Sequence, residues 1–267
     1  MNYIFDNAAE GLSAQRLDSI ETLYDERTIH HLERTGVGPG WHCLEVGGGN
    51  GSIASWLASQ VGDDGSVLVT DIDPRFLSRA CDRHVEIRRH DIGVDPLASE
   101  YFDLIHARLV LIHVADPWKA VRRLIAALKP GGWLVIEDFD PCLVRRDLPC
   151  AHPDDATLSR KVFAAMRALM LERGLNVDFA RDLYANMVAM GLNDVAMEGH
   201  LAVRPGGSAG ALLDRANLSQ IGDEAIARNL LTPDEVARMA TSLQSETFAV
   251  LSPVMFSAWG RKASCRG

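Results

Sequence analysis

Three acidic residues and a run of glycines carry the most specific chemistry in this sequence. Glu45 comes just before Gly47-Gly48-Gly49-Asn50-Gly51, Asp71 follows 26 residues after Glu45, and Asp91 follows a third apolar segment. Glycines at 47, 49 and 51 let a chain leave a strand tightly and bring its backbone against a ligand. A tight strand-to-helix turn alone needs fewer. A carboxylate ending the next strand, where Asp71 falls, can accept both hydroxyl protons of an adenosine ribose. Glu45, late in a central strand, needs a partner once buried, either a ligand ammonium or an adjacent backbone amine. By itself this pattern fits NAD, FAD or S-adenosylmethionine.

A second set of groups falls further along. His113 lies in the apolar run Leu109-Val110-Leu111-Ile112-His113-Val114, and Glu137-Asp138-Phe139-Asp140 follows a later strand. An imidazole titrates near neutrality and suits proton removal, so His113 is a candidate base. It is equally readable as a packing histidine. Glu137 and Asp138 are candidates to orient an acceptor or a base. Asp140 is explained as well by solvation, and Asp138 with Asp140 lack the third ligand that a metal site needs. Histidine spacing gives no zinc pattern, so no metal is expected.

The elements that must position these groups alternate. Arg16 to Arg34 reads as an amphipathic helix, stopped at Gly-Val-Gly-Pro-Gly. Strands are expected at Cys43–Val46, Ser66–Thr70, Val85–Arg89, Phe102–His106 and Trp133–Ile136. Helices are expected at Ser52–Ser59, Arg75–Cys81 and Trp118–Leu128, the last ending at Lys129-Pro130-Gly131-Gly132. Such alternation predicts an α/β, Rossmann-like fold, a mostly parallel sheet with helices on both faces. Later come a loop over 141–155, helices at Leu158–Leu171 and Ala180–Met190, and a strand at Asp194–Val203. Helices at Gly210–Leu218 and Pro233–Ser242 then precede a final strand at about Phe248–Trp259.

The acidic motif and turn resemble the class I S-adenosylmethionine-dependent methyltransferases, whose first strand ends in Glu/Asp-x-Gly-x-Gly-x-Gly. Glu45-Val46-Gly47-Gly48-Gly49-Asn50-Gly51 fits throughout, and Lys129-Pro130-Gly131-Gly132 is a further habit of that family. The helix carrying Arg16 and the closing stretch Leu251–Gly260 extend the likeness, which is closest to bacterial small-molecule enzymes of the ubiquinone- and menaquinone-biosynthesis type. The resemblance implies a seven-stranded sheet with its last strand antiparallel beside the fifth. It implies S-adenosyl-L-methionine held by Arg16, Glu45, Gly47, Gly49, Asn50 and Gly51. Asp71 and Ile72 would face the ribose, and Asp91 and Ile92 the adenine. His106, Ala107, Arg108 and Leu109 would line the sulfonium side. A diphosphate beside Glu45 would meet repulsion, which further disfavours a dinucleotide.

The expected organisation is one domain over 1–267. It has a helical cap over about 1–35, a nucleotide-binding core over about 36–140, and insertions over about 141–176 and 206–246. Apolar stripes on the insertions suit either a lid over a largely apolar small-molecule acceptor or an interface, so a homodimer is possible. Of the 267 residues 27 are basic and 36 acidic, a net charge of −9 that disfavours a phosphate backbone as partner. Five cysteines (Cys43, Cys81, Cys142, Cys150, Cys265) form no CxxC pair. That count, with no secretory segment and no membrane-length apolar run, points to a cytoplasmic protein. Direct transfer of a methyl group to oxygen, nitrogen or carbon is the expected reaction. A cyclase that binds the same cofactor and a non-catalytic regulator are the alternatives.

Overall fold

The computed structural model describes residues 10–77, 83–142 and 153–264. Cys81, Cys150, Cys265, the end of the helix expected at Arg75–Cys81 and most of the 141–155 loop lie outside them. The elements in chain order are α1 (Glu10–Glu33), β1 (His42–Val46), α2 (Ser52–Val61), β2 (Ser66–Asp71), β3 (Val85–Arg89) and β4 (Phe102–Arg108). They continue with α3 (Pro117–Ala127), β5 (Leu128–Asp140), α4 (Pro153–Glu172), α5 (Leu183–Ala189), β6 (Leu192–His200) and β7 (Val203–Pro205). The last are α6 (Ala209–Ala227), α7 (Pro233–Ser242), β8 (Ala249–Leu251) and β9 (Val254–Lys262). Single 3₁₀ turns occur at Pro74–Phe76 and Leu111–His113.

Seven strands form one sheet in the order β3-β2-β1-β4-β5-β9-β6. The first five are parallel, and β9 enters antiparallel between β5 and β6. The expected final strand is in fact two. Ser252-Pro253 breaks the run, and the missing Pro N–H is one reason a ladder ends there. The first piece, β8, pairs with β7 in a separate ribbon, and only β9 joins the main sheet. Lys129-Pro130-Gly131-Gly132 also differs from expectation, because it forms the irregular start of β5 rather than a turn ahead of it.

Burial on both faces explains the strand composition. Leu44, Val46, Ile105, Ala107, Leu134 and Ile136 point to one face, where α3 supplies Ala120, Val121 and Leu124. Asp116 caps α3 by accepting from the Lys119 amide at 2.9 Å, and Pro117 occupies its first turn. Cys43, Leu104 and Val135 point to the other face, against Ile53, Ala54 and Leu57 of α2 and Leu32 of α1. The inserted helices join the first core. Val162 and Leu169 of α4 pack with Ile221 of α6 and Met239 of α7.

Polar residues interrupt the second face in a row that steps by two residues between β4 and β5, where His106 is paired with Val135 and Arg108 with Glu137. Glu45 and His106 are register partners, and so are Glu137 and Ser257, then Ser257 and Glu198. The same side of the sheet therefore carries a lateral row of charge beneath α1.

Candidate cofactor and acceptor cavity

A cavity of about 760 Å³ opens above the carboxyl ends of β1, β2 and β4, where ligands bind in open α/β sheets. Its floor is the glycine turn. Gly47 has φ 74°, and a Cβ there would stand 2.1 Å from Val110 Cγ2, so no larger residue fits. At Gly49, with φ 55°, a Cβ would meet only Leu17 Cδ2 at 3.6 Å, so its bare face opens on the cavity. Gly51 does not reach the wall. It begins α2 at φ 96° and donates to Gly48 O at 2.8 Å.

Asp71 ends β2 on the cavity wall, and its Oδ1 accepts from the Asp73 amide at 2.8 Å. Burial raises its pKa, opposed by the amides of Asp73, Gly49 and Ile72. Ile72 and Ile92 add apolar surface on that side, together with His90. Ile72 is 39% exposed, unusual for a large aliphatic side chain beside a charge. Asp91 differs from its expected place. Its Oδ1 accepts from the Gly93 amide at 2.8 Å, so it braces its own loop, and it does not line the cavity. Asn50 sits on the wall and donates to Asp18 Oδ1 on α1 at 3.0 Å.

Glu45 finds its partner inside the protein. His106 Nδ1 lies 2.6 Å from its Oε2, and both side chains are buried. On its other side His106 Nε2 lies 3.5 Å from Glu137 Oε2. Burial pulls the His106 pKa down, but Glu45 and then Glu137 outweigh it and hold it at about 9. The ring is thus a cation between two carboxylates. Glu137 is also bound by Ser257 Oγ at 2.6 Å, His31 Nδ1 at 3.0 Å and Thr28 Oγ1. Burial raises the Glu137 pKa, yet its bonds to His106 and His31 prevail and keep it well below the ordinary carboxylate range. Arg108 donates to Thr28 Oγ1 at 2.9 Å and pairs with Asp25 at 2.8 Å, tying β4 to α1. Glu45 and Arg108 reach the cavity wall; His106, Ala107 and Glu137 do not. The candidate catalytic acid Glu137 therefore fastens α1 to the sheet, with its oxygens already occupied.

Asp138 is likewise fully buried and off the wall. Burial pushes its pKa up to about 7, against the amides of Ile112 and Phe139, each 3.0 Å from a carboxylate oxygen. Through Ile112 it holds the 3₁₀ turn that carries His113. His113 does reach the cavity. Burial, then the nearby Arg16 charge, lowers its pKa to about 3, which leaves a neutral imidazole. Leu109 precedes this turn at φ 57°, a costly conformation for leucine, with its amide donating to Glu137 O at 2.8 Å.

The far wall comes from α1 and α6. Arg16, Leu17, Ile20 and Glu21 face Gln220, and Arg16 Nε donates to Asn217 Oδ1 at 3.0 Å. Neither Glu21 nor Gln220 was singled out from the sequence, since each lies in a helix far from any motif. His90, Leu109 and Val110 also join the wall; Leu109 was expected there with the strand-four loop, His90 was hinted at by the Asp91 loop, and Val110 was not singled out. Among the described residues no group of three His, Cys, Asp or Glu side chains could hold a metal, and no helix is long and apolar enough to cross a membrane.

A mostly parallel sheet with a glycine turn after its first strand, a carboxylate ending the second and a cavity at its carboxyl edge is a Rossmann-like architecture. The family is narrower. Residues 44–136 match the profile described as a methyltransferase domain. A ubiquinone/menaquinone biosynthesis C-methyltransferase of Vibrio campbellii is 30% identical over 119 residues, 40% of this chain and 45% of that protein. A methyltransferase of Strobilurus tenacellus, str2, is 32% identical over 133 residues, covering 49% of this chain and 48% of its own. These alignments span about half the length of the curated relatives. The solved phosphoethanolamine N-methyltransferase 2 of Haemonchus contortus, bound to S-adenosylhomocysteine, shares the fold at TM-score 0.57 and 16% identity. That superposition covers 93% of this chain and 57% of the other. Over residues 44–136 the chain matches a methyltransferase domain, and in that stretch it is similar to S-adenosylmethionine-dependent methyltransferases.

Proposed function

We propose that the protein transfers the methyl group of S-adenosyl-L-methionine to a small organic molecule. The observation that carries this reading is that the Gly47–Asn50 turn and Asp71 form one continuous wall, which α1 and α6 close from the opposite side. When bound, the cofactor supplies an electrophilic methyl on a sulfonium with a good neutral leaving group.

The chain's own residues divide the remaining work. Gly47 and Gly49 admit the amino-acid part of the ligand close to the backbone, and Arg16 offers its cation to a carboxylate. Asp71 accepts the two ribose hydroxyls. Ile72 and Ile92 flank the base. Glu45, held by His106, keeps the floor negative on the side where a sulfonium and an ammonium would stand. Because the displacement is direct, alignment and exclusion of water matter most. His113, neutral and rigidly held, suits orientation of an acceptor hydroxyl or amine through one ring nitrogen. With its pKa so low it is a weak base, so the role expected of it shifts from proton removal to positioning.

The test is an assay of the purified protein with methyl-labelled S-adenosylmethionine and a panel of hydroxylated and amine-bearing aromatic molecules. Label should pass to an acceptor with stoichiometric S-adenosylhomocysteine. Tight cofactor binding with no S-adenosylhomocysteine from any compound would argue for the cyclase or regulator alternatives instead.

A further inference from the structure

Gln220 presents an anomaly in the cavity wall. It stands on α6 in the cavity wall, and both its Oε1 and its Nε2 are shut off from solvent without a hydrogen-bond partner. Buried side-chain amides are nearly always paired, and leaving both ends unpaired carries a real stability cost. A glutamine retained in such a place is complementary to something that enters the cavity.

Its position says which end of the cavity that is. Asn217, one turn earlier on the same helix, holds Arg16, and Leu213 before it packs on Ile20 and Tyr24 of α1. This face of α6 therefore looks at α1, in the cavity wall that also carries His113.

The chemistry of the wall narrows the guest. A carboxamide offers one acceptor and two donors in one plane. Arg16 and Glu21 share the wall with opposite charge, Arg108 is paired with Asp25, and His113 is neutral. The wall therefore has no net charge to offset the dehydration of an ionised guest. Leu17, Leu109 and Val110 supply apolar contact for a ring or chain.

We infer that Gln220 recognises the methyl acceptor, and that the acceptor is an uncharged molecule whose hydroxyl or amide group both donates and accepts a hydrogen bond. This rests on the methyltransferase reading above, and adds to it the polarity of the substrate and the residue that selects it.

The experiment uses the full chain saturated with S-adenosylhomocysteine and three probes of one ring system: 2-naphthol, 2-naphthoate and naphthalene. Wild-type protein should bind 2-naphthol at least about tenfold more tightly than either other probe by calorimetric titration, the discrimination expected of one satisfied polar pair. Gln220→Leu should abolish that preference while S-adenosylhomocysteine affinity stays unchanged. Because the substitution removes two unpaired buried atoms at similar volume, it should also raise the apo melting temperature by about 2–4 °C. A fall in melting temperature would identify Gln220 as a structural residue and overturn the inference. So would equal binding of 2-naphthol and naphthalene, a preference for 2-naphthoate, or a preference that survives in Gln220→Leu. If S-adenosylhomocysteine itself fails to bind, the cofactor reading falls first and this inference with it.

Discussion

The two ends of the cavity are built on different principles. The glycine-turn end is made by two neighbouring strand ends, Gly47–Asn50 after β1 and Asp71 at the end of β2, which together line the cavity. The rest of the wall is assembled from α1, which also reaches the glycine turn through Leu17 and Asp18, the 3₁₀ turn at Leu111–His113 and α6, and its side chains lie as far apart in sequence as Arg16 and Asn217. Beneath them runs the buried row Glu45–His106–Glu137, of which Glu45 alone reaches the cavity wall. A family can therefore keep the first end while changing the guest at the second.

The largest effect should come from filling the turn. In Gly47→Ala the new Cβ overlaps Val110 and adopts a left-handed backbone angle. Affinity for S-adenosylhomocysteine should fall by roughly 100-fold or more, about 3 kcal/mol. Adding Val110→Ala should return part of that loss, and calorimetry on both variants checks it.

Next is the buried row. Glu137→Gln leaves the buried His106 and His31 without their shared anion, and urea unfolding should register a loss of about 3 kcal/mol. Cofactor affinity should change far less. The same row predicts an alkaline limit. The folded His106 pKa lies above its unfolded value, so its contribution is complete below pH 6.5 and disappears as pH rises through about 9. The unfolding midpoint should drop across that window. In Glu137→Gln the drop should begin at lower pH.

A smaller effect separates the ends most cleanly. Asp71→Asn should weaken S-adenosylhomocysteine by about tenfold, with little change in unfolding midpoint, because its carboxylate serves the ligand more than the fold. Smallest is the effect of His113→Phe on cofactor affinity, expected within about threefold, while turnover of an acceptor declines. Since His113 stays neutral down to about pH 3, it should add no limb to a pH–rate profile between pH 5 and 8. A limb near 6.5 that vanishes in His113→Phe would return the residue to proton transfer.

This contrast also explains what the sequence disclosed. The glycine turn, Asp71 and the order of parallel strands were legible because each is local. A strand end, a turn and an acid sit at fixed spacing, and burial on two faces imposes continuous apolar runs. Glu45, His106 and Glu137 were each noticed, but their union depends on register, which places Glu45 beside His106 across β1 and β4. Hence Glu45 was left with an open choice of partner, and Glu137 was read as facing an acceptor. Asp91 fits the spacing of an adenine ligand, yet a single amide bond to Gly93 directs it into its own loop. Gln220 gave no signal, because a glutamine in a helix is ordinary until tertiary packing seals its amide.

The central claim is that the Gly47–Asn50 and Asp71 wall is an S-adenosylmethionine site. Isothermal titration of the purified chain with S-adenosylhomocysteine, beside NAD and beside the Asp71→Asn variant, tests it directly. One-to-one binding of S-adenosylhomocysteine, weakened about tenfold in the variant, with no heat from NAD, is the predicted result. Tight NAD binding with no response to S-adenosylhomocysteine would contradict it.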